Sequence, residues 1–352
     1  MHLKPLREQV LVITGASSGI GLATARAAAK QGARLVLVAR NEEALQAIEQ
    51  EINAAGGQAI HVAGDVGRRE DLQRAADAAI AHFGRFDTWV NNAGVSLYGR
   101  LTQISDDDHH RLFQTNFWGV VYGSLIAAAH LRRRGGALIN IGSVLSDSAV
   151  PIQGMYSTSK HAVKGFTDAL RMELEADRAP ISVTLVKPSA INTPYPQHAK
   201  NYLDREASLP PPVYAPEEVA HAILFAATHP KRDIIIGGAG RAMSFANRTF
   251  PRVMDRVGET LLLRQQTRPG GTLPHQEGSL HRPGRDGRVH GRYPGHVMRK
   301  SYYTRASLHP VLTGTLLLAA GVAAAAVLSR RHGSDPLRQL TLTGGDPVTD
   351  YD

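Results

Sequence analysis

The chain of 352 residues contains no cysteine. That excludes disulfides, cysteine nucleophiles and thiolate metal sites, and it fits a reducing compartment. An N-terminal apolar h-region is also missing. Met1-His2-Leu3-Lys4-Pro5 leads almost directly into the first apolar run, so no cleaved signal peptide is expected and the chain is read as cytoplasmic. Aromatic residues make up only 6%. Of the net charge of +9, most belongs to residues 251–352, which hold 14 Lys and Arg against 8 Asp and Glu. The arginines there are scattered among Gly, Pro and His with little aromatic interleaving, which argues against a nucleic-acid partner. The histidines are spaced too irregularly for a metal site, and none is expected.

What is present is an alternation. The apolar runs Val10-Leu11-Val12-Ile13, Leu35-Val36-Leu37-Val38, Ala59-Ile60-His61-Val62, Thr88-Trp89-Val90, Ala137-Leu138-Ile139-Asn140-Ile141, Ser182-Val183-Thr184-Leu185-Val186 and Ile234-Ile235-Ile236 are separated by amphipathic helical segments. Such spacing predicts an α/β domain over residues 1–250, with a parallel sheet covered on both faces and ligands bound beyond the C-terminal strand ends.

Behind the first run stands Thr14-Gly15-Ala16-Ser17-Ser18-Gly19-Ile20-Gly21. A phosphate needs backbone N–H groups unobstructed by side chains, and a helix N-terminus supplies them together with a positive dipole end. Gly15 suits a sharp turn, Gly19 a close approach to pyrophosphate, and Gly21 tight packing of the following helix. Taken alone, the loop fits any strand–turn–helix junction equally well. Asn91-Asn92-Ala93-Gly94, Ser143 and Tyr156-Ser157-Thr158-Ser159-Lys160 follow later strands. Tyr156 and Lys160 are four apart, hence on one helical face. A tyrosine titrates near ~10, too high for an efficient base at neutral pH, and a nearby ammonium would lower it. Ser143 could donate to a substrate oxygen where charge develops.

Together these residues resemble the short-chain dehydrogenase/reductase family in its single-domain form, over residues 7 to about 245: Thr14 to Gly21, Asp65, Asn91 to Gly94, Asn116, Ser143, Tyr156 and Lys160 fall in that family's order and spacing. The resemblance implies a Rossmann-type doubly wound sheet of about seven parallel strands. It also implies a catalytic tetrad of Asn116, Ser143, Tyr156 and Lys160. Tyr156 would be the acid/base, Ser143 would orient the carbonyl, Lys160 would hold the nicotinamide ribose, and Asn116 would support a water chain behind Lys160. The implied cofactor contacts are Thr14, Gly15, Ser17, Ser18, Gly19, Ile20 and Gly21 in the loop, with Arg40, Asp65 and Val66 at the adenosine end. Asn92, Ala93, Gly94, Tyr156, Lys160, Pro188 and Thr193 complete the set, and Asn91 is expected to line the cleft as well. Because the second strand ends Val38-Ala39-Arg40 without an acid, NADP (as NADPH) is expected rather than NAD, with Arg40 on the 2′-phosphate. One departure is Ser189 where the family usually has Gly. The implied activity is interconversion of a carbonyl and a secondary alcohol. The alternatives are a 3-oxoacyl thioester reductase and a membrane-tethered nucleotide-binding scaffold without turnover. Dimers or tetramers are implied through helices at 105–132 and 155–177.

The C-terminal third predicts an amphipathic helix at 251–266 and a disordered Gly/Pro/Arg/His-rich linker at 267–308. An apolar helix follows at 309–331, then a disordered tail at 332–352. Val311 to Leu328 is 18 uncharged residues, the minimal length for a membrane anchor, although six alanines make it a marginal one. With an anchor, a lipophilic substrate is expected. The prolines around Tyr195 to Tyr214 suggest a shaped lid over the substrate.

Overall fold

The computed structural model describes residues 2–267, 278–284, 287–311, 313–315, 318–319, 321–322 and 325. Seven strands form the main sheet: β1 (Val10–Thr14), β2 (Arg34–Ala39), β3 (Gln58–Ala63), β4 (Thr88–Asn91), β5 (Gly136–Ile141), β6 (Ile181–Pro188) and β7 (Asp233–Ile236). Their order is β7-β6-β5-β4-β1-β2-β3, and every neighbouring pair is parallel.

Strand alternation builds two cores. Leu11, Ile13, Leu35 and Leu37 face the layer of α1 (Gly19–Ala29), α2 (Glu42–Ala54) and a later helix at Pro216–Thr228. Val10, Val12, Val36 and Val38 face α3 (Arg69–Phe83) and its neighbours on the other side. With both faces covered, the strands read as unbroken apolar runs. The small residues Ala25 and Ala28, both fully buried, let α1 lie close to the sheet. Successive connections run outward in opposite directions from β1, once toward β2 and once toward β4. A crevice therefore opens at their C-terminal ends.

The described residues 278–284 and 287–308 correct the expectation of a disordered linker over 267–308, of which 268–277 and 285–286 lie outside the described residues. Val297–Met298 pairs parallel with Val213–Tyr214, which pairs with Ala190–Ile191 to make a three-stranded sheet. Strand structure thus does not cease at Ile236. The helix Tyr302–Leu308 follows, with the Thr304 hydroxyl donating to the Ile235 carbonyl at 3.1 Å. Leu280 and Leu308 are 0% and 2% exposed. Composition misleads here because the segment builds no core of its own. A few apolar anchors and backbone hydrogen bonds suffice when the receiving surface is already formed.

The expected helix at 251–266 is helical in successive pieces, Pro251–Val257, Gly258–Leu262 and Leu263–Gln265. The chain divides into two units, Met1–Leu308 and His309–Asp352. In the second, the described residues between 310 and 325 are helical. Among the described residues no helix is long and apolar enough to cross a membrane, so the anchor expected over 311–328 finds no support. Residues 326–328 and the tail 332–352 lie outside the described residues.

Candidate active site

A cavity of about 370 Å³ occupies the crevice. Its phosphate end is made by the β1–α1 turn. Gly15 and Gly19 have φ of +66° and +54°, where a side chain is strained. A Cβ on Gly15 would stand 2.8 Å from Ala93 Cα, and one on Gly21 only 2.1 Å from the Gly15 carbonyl oxygen. Ser17, Ser18 and Ile20 line the cavity, and Ser18 caps α1 in an extended conformation. Thr14 does not reach the cavity. Its hydroxyl donates to the Val90 carbonyl and accepts from the Asn92 and Ala93 amides, locking β1 to the end of β4. Gly21 likewise acts through packing. Asn91 is also turned away: it is 3% exposed and donates to Asn140 Oδ1 and Ser124 Oγ inside the core. Asn92, Ala93 and Gly94, past the strand end, line the cavity instead.

The reactive end is assembled by three elements. Ser143 follows β5 and caps the short helix Val144–Ser146, its Oγ accepting from the Leu145 amide at 3.1 Å. Tyr156 and Lys160 lie one turn apart on a helix, Gly154–Ala176, and both reach the cavity. Asn116 sits in a π-helical turn, Gln114–Trp118, a distortion that often marks functional sites. Its amide bridges the Val95 backbone, accepting from the N–H at 2.8 Å and donating to the C=O at 3.0 Å. Asn116 does not line the cavity, but Gly94 separates it from Lys160. A Cβ on Gly94 would lie 3.5 Å from Asn116 Oδ1 and 4.0 Å from Lys160 Nζ.

Burial dominates the electrostatics of this end. It pushes Lys160 down to about 8 and raises the Tyr156 phenol, with the Tyr195 and Ser143 hydroxyls partly opposing the latter. The expectation that Lys160 lowers Tyr156 is therefore not met in this arrangement. Lys160 Nζ donates to the Ile141 carbonyl at 2.8 Å and stands 5.6 Å from the Tyr156 ring centroid, turned toward the sheet rather than the phenol.

At the adenosine end, Ala39, Arg40, Asn41, Asp65 and Val66 line the cavity. Asp65 accepts from the Gly67 amide at 2.9 Å and pairs with Arg111. Burial opposes its ionisation, yet the Gly67 N–H and the Arg111 and Arg40 guanidiniums hold it below the usual carboxylate range. Arg111 was not foreseen; nothing in its spacing distinguishes it from any helix-surface arginine.

Pro188 and Thr193 line the middle of the cavity. Ser189 has no positive φ, so the missing glycine imposes no backbone strain, and its hydroxyl donates to the Ile236 carbonyl at the end of β7. The far end is walled by Leu209, Pro210, Met243 and Leu262, with Tyr98, Gln153, Tyr195 and Gln266 among them. Leu209 and Pro210 belong to the proline-rich segment expected to cover the substrate. Ser279, Pro283 and Gly284, from the segment expected to be disordered, also reach the cavity.

The family model for short chain dehydrogenases matches residues 9–202. The chain is 46% identical over 333 residues to YxnA, an uncharacterized oxidoreductase of Bacillus subtilis (strain 168), covering 94% of this chain and 93% of that one. It is 38% identical over 197 residues to 11-beta-hydroxysteroid dehydrogenase-like 3 of Arabidopsis thaliana, covering 55% and 62% respectively. A short chain dehydrogenase/reductase from Burkholderia phymatum, solved in complex with NAD, superposes with a TM-score of 0.64 at 26% identity, over 77% of this chain and all 100% of that one. An alcohol dehydrogenase from Thermococcus sibiricus, complexed with 5-hydroxy-NADP, gives 0.58 at 26% identity over 65% and 95%. With a match spanning more than half its length and a relative aligned along nearly all of it, this chain belongs to the short chain dehydrogenase family of oxidoreductases.

Proposed function

We propose that the chain is an NADP(H)-dependent oxidoreductase that interconverts a carbonyl and a secondary alcohol on a lipophilic substrate. The observation that carries this reading is a single cavity with Ser143, Tyr156 and Lys160 at one end and Arg40, with no carboxylate at position 39, at the other. The residues fit a dinucleotide: glycines that tolerate no Cβ, a helix N-terminus, and a guanidinium on the same cavity that would suit a 2′-phosphate. When bound, the nicotinamide supplies or accepts the hydride.

The chain's own residues handle the proton. In the reductive direction, negative charge grows on the substrate oxygen. The Ser143 hydroxyl donates to it and the Tyr156 phenol transfers its proton to it. A phenol kept protonated by burial suits that acid role. To stabilise the phenolate left behind, the Lys160 ammonium would have to turn from the Ile141 carbonyl that it meets here. The apolar wall of Leu209, Pro210, Met243 and Leu262 excludes water and suits a hydrocarbon-rich ketone. The name of the Arabidopsis relative, hydroxysteroid dehydrogenase-like, points to the same class. The buried hydroxyls of Ser96 and Tyr195, both on the cavity, would meet polar substituents of such a substrate. Trp118 and Leu125, on the helical stretch 114–134, and Met172, on the helix Gly154–Ala176, are exposed apolar residues that favour self-association through these helices.

The test is the purified full chain, with NADPH and NADH, assayed against free ketones, secondary alcohols and acyl thioesters. Turnover of ketones with NADPH is expected. Turnover confined to thioesters, or none with any carbonyl, would overturn the reading.

A further inference from the structure

Residues 278–284 and 287–291 run across the adenosine and pyrophosphate half of the cavity and are pinned at many points. Leu280 is fully buried in a cluster with Val95, Leu97, Ile104 and Leu112, against which Tyr156 also packs. His281 Nε2 lies 2.6 Å from Asp108 Oδ1. Asn41 donates to the Gly284 carbonyl at 2.7 Å, and the Gly19 amide, at the head of α1, donates to the Arg288 carbonyl at 2.9 Å. The Gly291 amide donates to Asn192 O at 3.1 Å.

These contacts converge on two guanidiniums. Arg40 donates through Nη1 to Leu280 O at 3.0 Å and through Nη2 to Ser279 O. Arg111 donates through Nε to the same Leu280 O at 3.2 Å. One carbonyl therefore holds two like charges close together, and among the described residues the carboxylate acting on Arg40 is Asp65, already paired with Arg111. Asp108 and Arg111 are three apart on the helix Asp106–Phe113, so His281 and Leu280 grip adjacent positions of one helical face. Among the described residues the result is a partly buried site with two guanidiniums against one carboxylate, and each guanidinium carries five N–H donors. A phosphate monoester supplies the charge and acceptors it lacks.

We propose that this C-terminal segment is a working part of the cofactor site: Ser279 and Leu280 are positioning residues that fix Arg40 and Arg111 for a 2′-phosphate, which makes the segment a determinant of cofactor choice. The proposal rests on the NADP reading above.

The test is fluorescence titration of NADPH and NADH on the full chain and on Leu280→Ser, Leu280→Met and His281→Gln. Loosening the segment should matter mainly to the ligand that carries the 2′-phosphate. Leu280→Ser is expected to raise the Kd for NADPH about tenfold and that for NADH less than about threefold, a loss typical of a hydrogen bond to a charged group. Leu280→Met should restore the preference, and His281→Gln should lower it by about threefold. Should Leu280→Ser fail to fold, His281→Gln, altering a side chain 44% exposed, carries the test. Equal weakening of both dinucleotides, or an unchanged ratio, would show that the segment is structural only and overturn the proposal. A wild-type chain that prefers NADH, or binds neither, would instead defeat the NADP reading itself.

Discussion

The two ends of the cavity are built by different means. The reactive end depends on short-range devices: a helical i,i+4 pair, Tyr156 and Lys160, and a serine capping the turn just after a strand. Its titrating groups are buried, and burial sets their proton affinities. The adenosine end depends on groups far apart in the chain. Arg40 is held by carbonyls at 279 and 280; burial lowers its proton affinity most, while Asp65 and Arg111 pull in opposite directions. A site whose chemistry demands fixed geometry is thus carried by rigid core elements, while the end proposed to select among similar cofactors is held by a late segment.

The sharpest break between the two ends would come from Tyr156→Phe. Removing the proton carrier should lower kcat by about 100-fold or more while leaving the NADPH Kd unchanged, checked by steady-state kinetics beside a binding titration. Gly21→Ala should damage both ends, because its Cβ would fall 2.1 Å from a backbone oxygen. A loss of about 3 kcal/mol or more is expected by denaturant unfolding, with weakened dinucleotide binding. Arg40→Ala should confine its effect to the adenosine end, raising the Kd for NADPH about tenfold or more and sparing that for NADH.

A subtler test concerns pH. Burial lowers Lys160 from the ordinary 10.5 to about 8. Between those values the unfolded chain holds the proton and the folded chain does not, so Lys160 makes stability rise with pH across about 8 to 10.5. Lys160→Met should remove that rise from the unliganded protein's unfolding free energy. Smallest of all, Ser189→Gly should cost no more than about 1 kcal/mol, the worth of its bond to Ile236 O, read as a slightly lower Tm.

Much of the sheet was legible because a strand buried on both faces must be apolar throughout, as Leu11, Val12 and Ile13 are. The loop glycines and the Tyr156–Lys160 spacing were legible for a similar reason: turn geometry and helical period are local. Asn91 and Thr14 were misplaced because neighbouring residues at a strand end differ in which way they face. Asn91 turns into the core and Asn92 toward the cavity. Arg111 carried no signal at all, and Leu280 was one leucine in a polar stretch.

The sequence by itself determined the layered α/β architecture, the glycine turn after β1 and the Tyr156–Lys160 pair, since each follows from periodicity or from the conformational freedom of glycine. Only the tertiary structure decided that residues 278–284 and 287–308 fold onto the domain, and that Arg40, Asp65 and Arg111 share one site. Those outcomes rest on backbone carbonyls and amides of distant segments, which every residue carries and which therefore leave no mark in residue identity.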